Sequence, residues 1–137
     1  MFIVGGLWME KHRLLIIDDA ANLLLLYKEE FQEEGYEVDV VNSISDAHIL
    51  LNKKLYDLII VGIMLEKDFD YENIWSGLNL MINEIPVIIV SGTPMYESGG
   101  KRLSLIGYIE KSSDLLPLKE KVYKLINKYD RTVTLKL

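Results

Sequence analysis

Cysteine is absent from the 137 residues, which excludes disulfides, thiol nucleophiles and thiolate metal sites and fits a cytoplasmic protein. Long apolar runs are missing too: none approaches the ~18–20 residues that a membrane helix needs. The opening stretch MFIVGGLW is apolar but short. It has no basic segment and no small-residue cleavage site, so it does not read as a signal peptide. An excess of positive charge is also lacking. Fifteen Lys and Arg stand against 21 Asp and Glu, a formal net charge of −6, and the positives are interleaved with acids. Nucleic-acid binding needs clustered Lys and Arg, so neither nucleic acid nor a membrane is an expected partner. No internal repeat and no low-complexity linker divides the chain. What is present is 50% hydrophobic and 26% charged, enough for one globular domain with a sizeable core. The sequence predicts a loose tail over residues 1–9, a domain over 10–130 and a short tail, RTVTLKL, over 131–137, too small for an output domain. Met9, directly before EKHRLLIIDD, is a candidate natural start.

Short apolar runs alternate with longer amphipathic ones. RLLIID (13–18), YEVDVV (36–41), DLIIVGI (57–63), PVIIVSG (86–92) and IGYIEK (106–111) read as strands. Between them, residues 20–35 carry Leu23, Leu24, Tyr27 and Phe31 at helical spacing, and Gly35 suits the helix stop. Ser43 or Ser45 can cap a second helix whose apolar positions are Ala47, Leu50, Leu51 and Leu55. Residues 77–85 form a short helix, 94–105 a weak one, and 112–130 the last, with Pro117 tolerable only near its first turn. Five strands alternating with five helices predict an α/β fold of one domain, with a parallel sheet covered on both faces and right-handed crossovers. The expected strand order is 2-1-3-4-5, a flavodoxin-like doubly wound sheet with its crevice between the ends of strands 1 and 3.

The polar residues that close the strands carry the chemistry. The first strand ends on Asp18 and Asp19, the third on Gly62, the fourth on Ser91 and the fifth on Lys111. In a doubly wound sheet these ends converge. Adjacent carboxylates suit a hard divalent cation such as Mg²⁺, and a hydroxyl with an ammonium suits a phosphoryl group.

With these residues in this order, the sequence resembles the receiver domain of two-component response regulators over residues 13–130. LLIIDD resembles the family's acidic pair, and EEGYEV its first helix-to-strand junction. YDLIIVGIM resembles the strand that delivers the phospho-accepting aspartate, PVIIVSG supplies the hydroxyl as Ser91, and GYIEKS supplies the aromatic switch as Tyr108 and the lysine as Lys111. The resemblance implies a metal site made by Asp18, Asp19 and the backbone carbonyl of Met64. Three departures alter the expectation. Gly62 stands at the acceptor position, where it offers no nucleophile and removes one carboxylate, so Mg²⁺ binding is expected to be weakened. The loop EKDFDYENIWS (66–76) is longer than the family's, and Ser112 replaces the proline that usually follows the lysine, with a shortened connection between the fourth and fifth strands.

The resemblance implies a stand-alone signalling module of a phosphorelay, without enzymatic activity. Its partners would be a histidine kinase, a phosphotransfer protein or an effector, docking on the face of the fourth helix, fifth strand and fifth helix, where a second copy of the chain could also pair. Gly62 makes it a pseudo-receiver that works through protein interaction without phosphorylation, or else a sporadic or engineered change in a phosphorylatable receiver. Plainer readings stand beside these. Asp18 and Asp19 can cap the first helix, and Lys111 can pair with either of them. Glu66, Asp68, Asp70 and Glu72 read as a solvated loop, with Phe69 and Trp75 as local anchors. Ser91 has no evident activating base, and His12 and His48 have no metal-ligand partner at useful spacing. A flavodoxin-like cofactor carrier would need a phosphate loop where DDAANLLLL stands. An aspartate-nucleophile hydrolase would need a second aspartate two residues on.

Overall fold

Five of the apolar runs lie side by side as parallel strands. The computed structural model describes residues 2–4, 7–9, 11–63, 85–92 and 106–129. Within them, β3 (Arg13–Ile17), β4 (Glu37–Val41), β5 (Leu58–Ile63), β6 (Val87–Ser91) and β7 (Ile106–Glu110) form one sheet in the order β4-β3-β5-β6-β7. Counted along this sheet, that is the expected 2-1-3-4-5, parallel throughout. Three helices lie among the described residues: α1 (Ala21–Glu33), α2 (Ile44–Lys53) and α3 (Leu116–Tyr129). The helices expected over 77–85 and 94–105 and the loop over 66–76 fall outside the described residues, apart from Ile85.

Alternation along each strand divides the core in two. Leu14, Ile16, Leu58, Ile60, Ile88 and Val90 point to one face, under Leu24, Tyr27 and Phe31 of α1 and Leu118, Val122 and Ile126 of α3. Leu15, Ile17, Ile59, Val61, Val87 and Ile89 point to the other, with Ala47 of α2 and Tyr56. Burial on both faces is why these strands read as unbroken apolar runs.

Local chemistry sets the helix ends. After α1 the chain turns at Gly35 with φ +96°. Gly35 N–H donates to the Gln32 carbonyl at 3.0 Å and Tyr36 N–H to that of Phe31 at 3.2 Å. The Phe31 and Tyr36 rings, 6.0 Å apart, add the apolar contact that accompanies such a helix stop. Ser43 rather than Ser45 caps α2, its hydroxyl accepting from Asp46 N–H at 3.1 Å. Two expectations need correcting. Leu55 does not belong to the apolar side of α2, because the helix ends at Lys53 and Leu55 is 89% exposed. The last helix begins at Leu116 rather than 112, since Ser112 Oγ accepts from Asp114 N–H and Asp114 Oδ1 from Leu116 N–H, holding that stretch in turns. Pro117 consequently falls in the first turn, where its missing N–H costs nothing.

Polar contacts pin the elements together at the opposite end of the sheet from the strand termini. Arg13 N–H donates to Asp57 Oδ2 at 2.7 Å while Asp57 N–H donates to the Arg13 carbonyl at 2.8 Å. The Arg13 guanidinium reaches Glu37, its register partner on β4, at 3.0 Å. Lys119 of α3 bridges Glu30 at 2.7 Å and Glu34 at 3.3 Å on and after α1. Within the segment expected as an N-terminal tail, β1 (Phe2–Val4) and β2 (Leu7–Met9) pair antiparallel as a sheet of their own. The two apolar triplets around Gly5 and Gly6 are the sequence signal for that pairing.

Candidate functional site

Register brings the expected residues to one edge. Ile17, the last residue of β3, pairs with Val61, so Asp18 follows directly beside Gly62. Gly62 pairs with Val90 and Ile63 with Ser91, and Ser91 pairs with Glu110, the residue before Lys111. Lys111 N–H donates to the Ser91 carbonyl at 2.6 Å. Asp18, Gly62, Ser91 and Lys111 therefore share the carboxyl edge of neighbouring strands. This is the place where open α/β sheets build their sites.

Asp18 is the centre of this edge. It is 2% exposed, and its N–H continues the ladder to the Val41 carbonyl at 3.1 Å. Its Oδ1 accepts from Ala20 N–H at 2.9 Å, so it serves the start of α1, whose N-cap residue Ala20 supplies no side-chain cap. Its Oδ2 is buried with no hydrogen-bond partner among the described residues. Burial pushes the Asp18 carboxyl above the ordinary range. The Ala20 N–H and the Lys111 charge pull it down, and the adjacent Asp19 raises it further. Lys111 thus acts on Asp18 through its charge. Asp19 is exposed and Lys111 half-buried. On the flank, burial and the Asp18 carboxylate both raise the phenol of Tyr27.

Gly62 faces Asp18 directly. A β-carbon at this position would overlap Asp18 Oδ2 and stand 2.6 Å from its Cγ and 3.2 Å from its Cβ. This close approach has no signal in the sequence beyond the glycine itself, because it depends on how β3 and β5 bring the two residues together. Ser91 is buried at the end of β6. Tyr108 pairs through its backbone with Ile89 in β7, and Met64 lies outside the described residues.

The donor set fits a divalent cation in kind. A buried carboxylate oxygen without a partner is the atom such an ion satisfies, and Asp19 offers a second carboxylate beside it. Among the described residues no group of three His, Cys, Asp or Glu converges. A bound Mg²⁺ would supply positive charge toward phosphoryl oxygens. The chain's own contribution is two carboxylates at the end of β3, with Ser91 ending β6 and Lys111 following β7 at the same edge of the sheet.

Fold and edge together define a flavodoxin-like α/β domain with its polar residues gathered at the strand termini. The family model for the response regulator receiver domain matches residues 14–123, and the chain belongs to this family of two-component signalling domains. It resembles the response regulator protein TrrA of Thermotoga maritima, solved in complex with Mg²⁺-BeF. Identity is 30% and the TM-score 0.69, over 83% of this chain and 98% of that one. A structure of histidine kinase ThkA in complex with TrrA matches at 32% identity and TM-score 0.69, covering 83% and 97%. The chemotaxis protein CheY4 of Vibrio cholerae shares the fold at 18% identity and TM-score 0.72, covering 85% and 99%. Among curated proteins, the alginate biosynthesis transcriptional regulatory protein AlgB of Pseudomonas putida is 32% identical over 56 residues. That match spans 41% of this chain and only 12% of AlgB. Among the described residues no helix is long and apolar enough to cross a membrane.

Proposed function

We propose that this chain is a receiver module whose phospho-acceptor aspartate is replaced by Gly62, and that it acts by binding another signalling protein without being phosphorylated. One observation carries the reading. Gly62 lies on β5 beside Asp18, at the edge that Ser91 and Lys111 also reach, and it has no side chain to accept a phosphoryl group. Asp18 and Asp19 would hold Mg²⁺ with two carboxylates, more weakly than with three. The similarity to TrrA, which has been solved with a histidine kinase, supports a kinase, phosphotransfer protein or effector as the partner class. The docking face would include β7 and α3, with Tyr108 as its switch residue. A partner can select one conformation of such a face without phosphate, provided it binds the two states differently.

The test is intact-protein mass after incubation with acetyl phosphate and Mg²⁺. The parent chain is expected to keep its mass. Gain of one phosphoryl group by the parent overturns the proposal, because another residue would then be the acceptor.

A further inference from the structure

We infer that Asp18 occupies the place a side chain at position 62 would fill, and that Gly62 is the residue this arrangement of Asp18 requires. The inference rests on the reading of position 62 just proposed and concerns what has become of the pocket.

Two explanations for a glycine at Gly62 can be separated. The backbone does not ask for one: Gly62 sits in a regular parallel strand, and the only described glycine with positive φ is Gly35. Space does ask for one. A β-carbon would meet Asp18 along its whole side chain, at Oδ2, at Cγ (2.6 Å) and at Cβ (3.2 Å). The other described glycines differ. Gly35 and Gly92 have nothing within 4 Å of such a carbon, and at Gly107 the obstacle is the flexible stem of Lys121.

Asp18 cannot yield in that way. It is short and 2% exposed, and it is tied by Oδ1 to Ala20 N–H at the entry to α1. A side chain at 62 requires Asp18 to shift, and the shift is expected to disturb its hydrogen bond to Ala20. The carboxylate that stands over position 62 therefore comes from the end of β3 and not from β5. Its Oδ2, with no hydrogen-bond partner among the described residues, lies where a β-carbon of residue 62 would stand. A side chain introduced at 62 meets space that Asp18 already fills.

The experiment is a double-mutant cycle on the full chain with Gly62→Ala, Asp18→Ala and the pair, read by thermal unfolding and by the amide resonance of Ala20. Gly62→Ala is expected to lower Tm by about 5 °C in the parent, and by less than about 2 °C in the Asp18→Ala background. The Ala20 resonance is expected to move on Gly62→Ala in the parent and to stay put when the same change is made after Asp18→Ala. Equal Tm losses in both backgrounds, or an Ala20 resonance unmoved by Gly62→Ala, would overturn the inference. Should Gly62→Ala fail to fold, folding of the double variant supports the inference and its failure overturns it. Phosphorylation of the parent would defeat the proposed function and leave this cycle unaffected.

Discussion

The Tyr56 hydroxyl donates to Asp39 Oδ2 at 2.6 Å, joining the segment after α2 to the edge strand β4. Lys54 reaches the same oxygen at 3.2 Å. Burial pulls the Asp39 carboxyl upward, but the Tyr56 and Lys54 hydrogen bonds and the charges of Lys54 and Arg13 outweigh it, leaving it below the ordinary value. Burial and then Asp39 hold the proton on Tyr56 far above the usual phenol range.

A lowered carboxyl contributes stability that is present above its unfolded pKa and is lost as pH falls through the folded value. Tyr56→Phe removes one of the bonds that lower Asp39. It is expected to cost about 1 kcal/mol near pH 6, with the gap to the parent narrowing below about pH 4 as Asp39 protonates in both. Urea unfolding at pH 6 and pH 3 reads this directly. A gap that does not change with pH would mean that the charge on Asp39 plays no part.

Gly35→Ala is expected to destabilise by about 1 kcal/mol, because a side chain at φ +96° is strained although nothing crowds it. Gly35→Asn should cost less, since Asn tolerates this region better. Equal denaturation midpoints for the parent and Gly35→Ala would show that the turn relaxes.

Phe31 is fully buried between α1 and the sheet and also packs on Tyr36. Phe31→Ala should cost about 3–5 kcal/mol through lost burial and the cavity left behind. Calorimetric unfolding is the check, and a loss under about 1 kcal/mol would show that the site collapses around the gap.

On the proposed reading, Mg²⁺ added to the parent should shift the amide resonances of Ala20 and Lys111 in a saturable way, and Asp19→Asn should abolish the shift. Shifts that survive in Asp19→Asn would place the ion elsewhere.

Sheet order and both core faces were legible because parallel strands buried on two sides advertise themselves as unbroken apolar runs rich in Ile and Val, as in LLII, LIIV and VIIV. The stop at Gly35 was equally plain. Boundaries decided by short side chains were not. Ser43 and Ser45 could not be ranked without knowing which hydroxyl meets a free N–H, and the start of α3 depended on turns made by Ser112 and Asp114. At the site, the candidate residues for one edge could be named from strand ends alone. That Asp18 lies over Gly62 could not, because a rotamer and the approach of two strands decide it.

The position of β4 at the border of the sheet has a consequence for aggregation. Unpaired on its outer side among the described residues, EVDVV is a short β-rich segment of the kind that recruits copies of itself. Antiparallel pairing of two such edges about their midpoints would set Asp39 against Asp39, and parallel stacking would align Glu37 and Asp39 into columns of like charge. In such a pairing the carboxylate that Tyr56 and Lys54 hold in place would meet its own copy, each with its Lys54 partner alongside, a crowding at the midpoint that opposes edge-to-edge assembly.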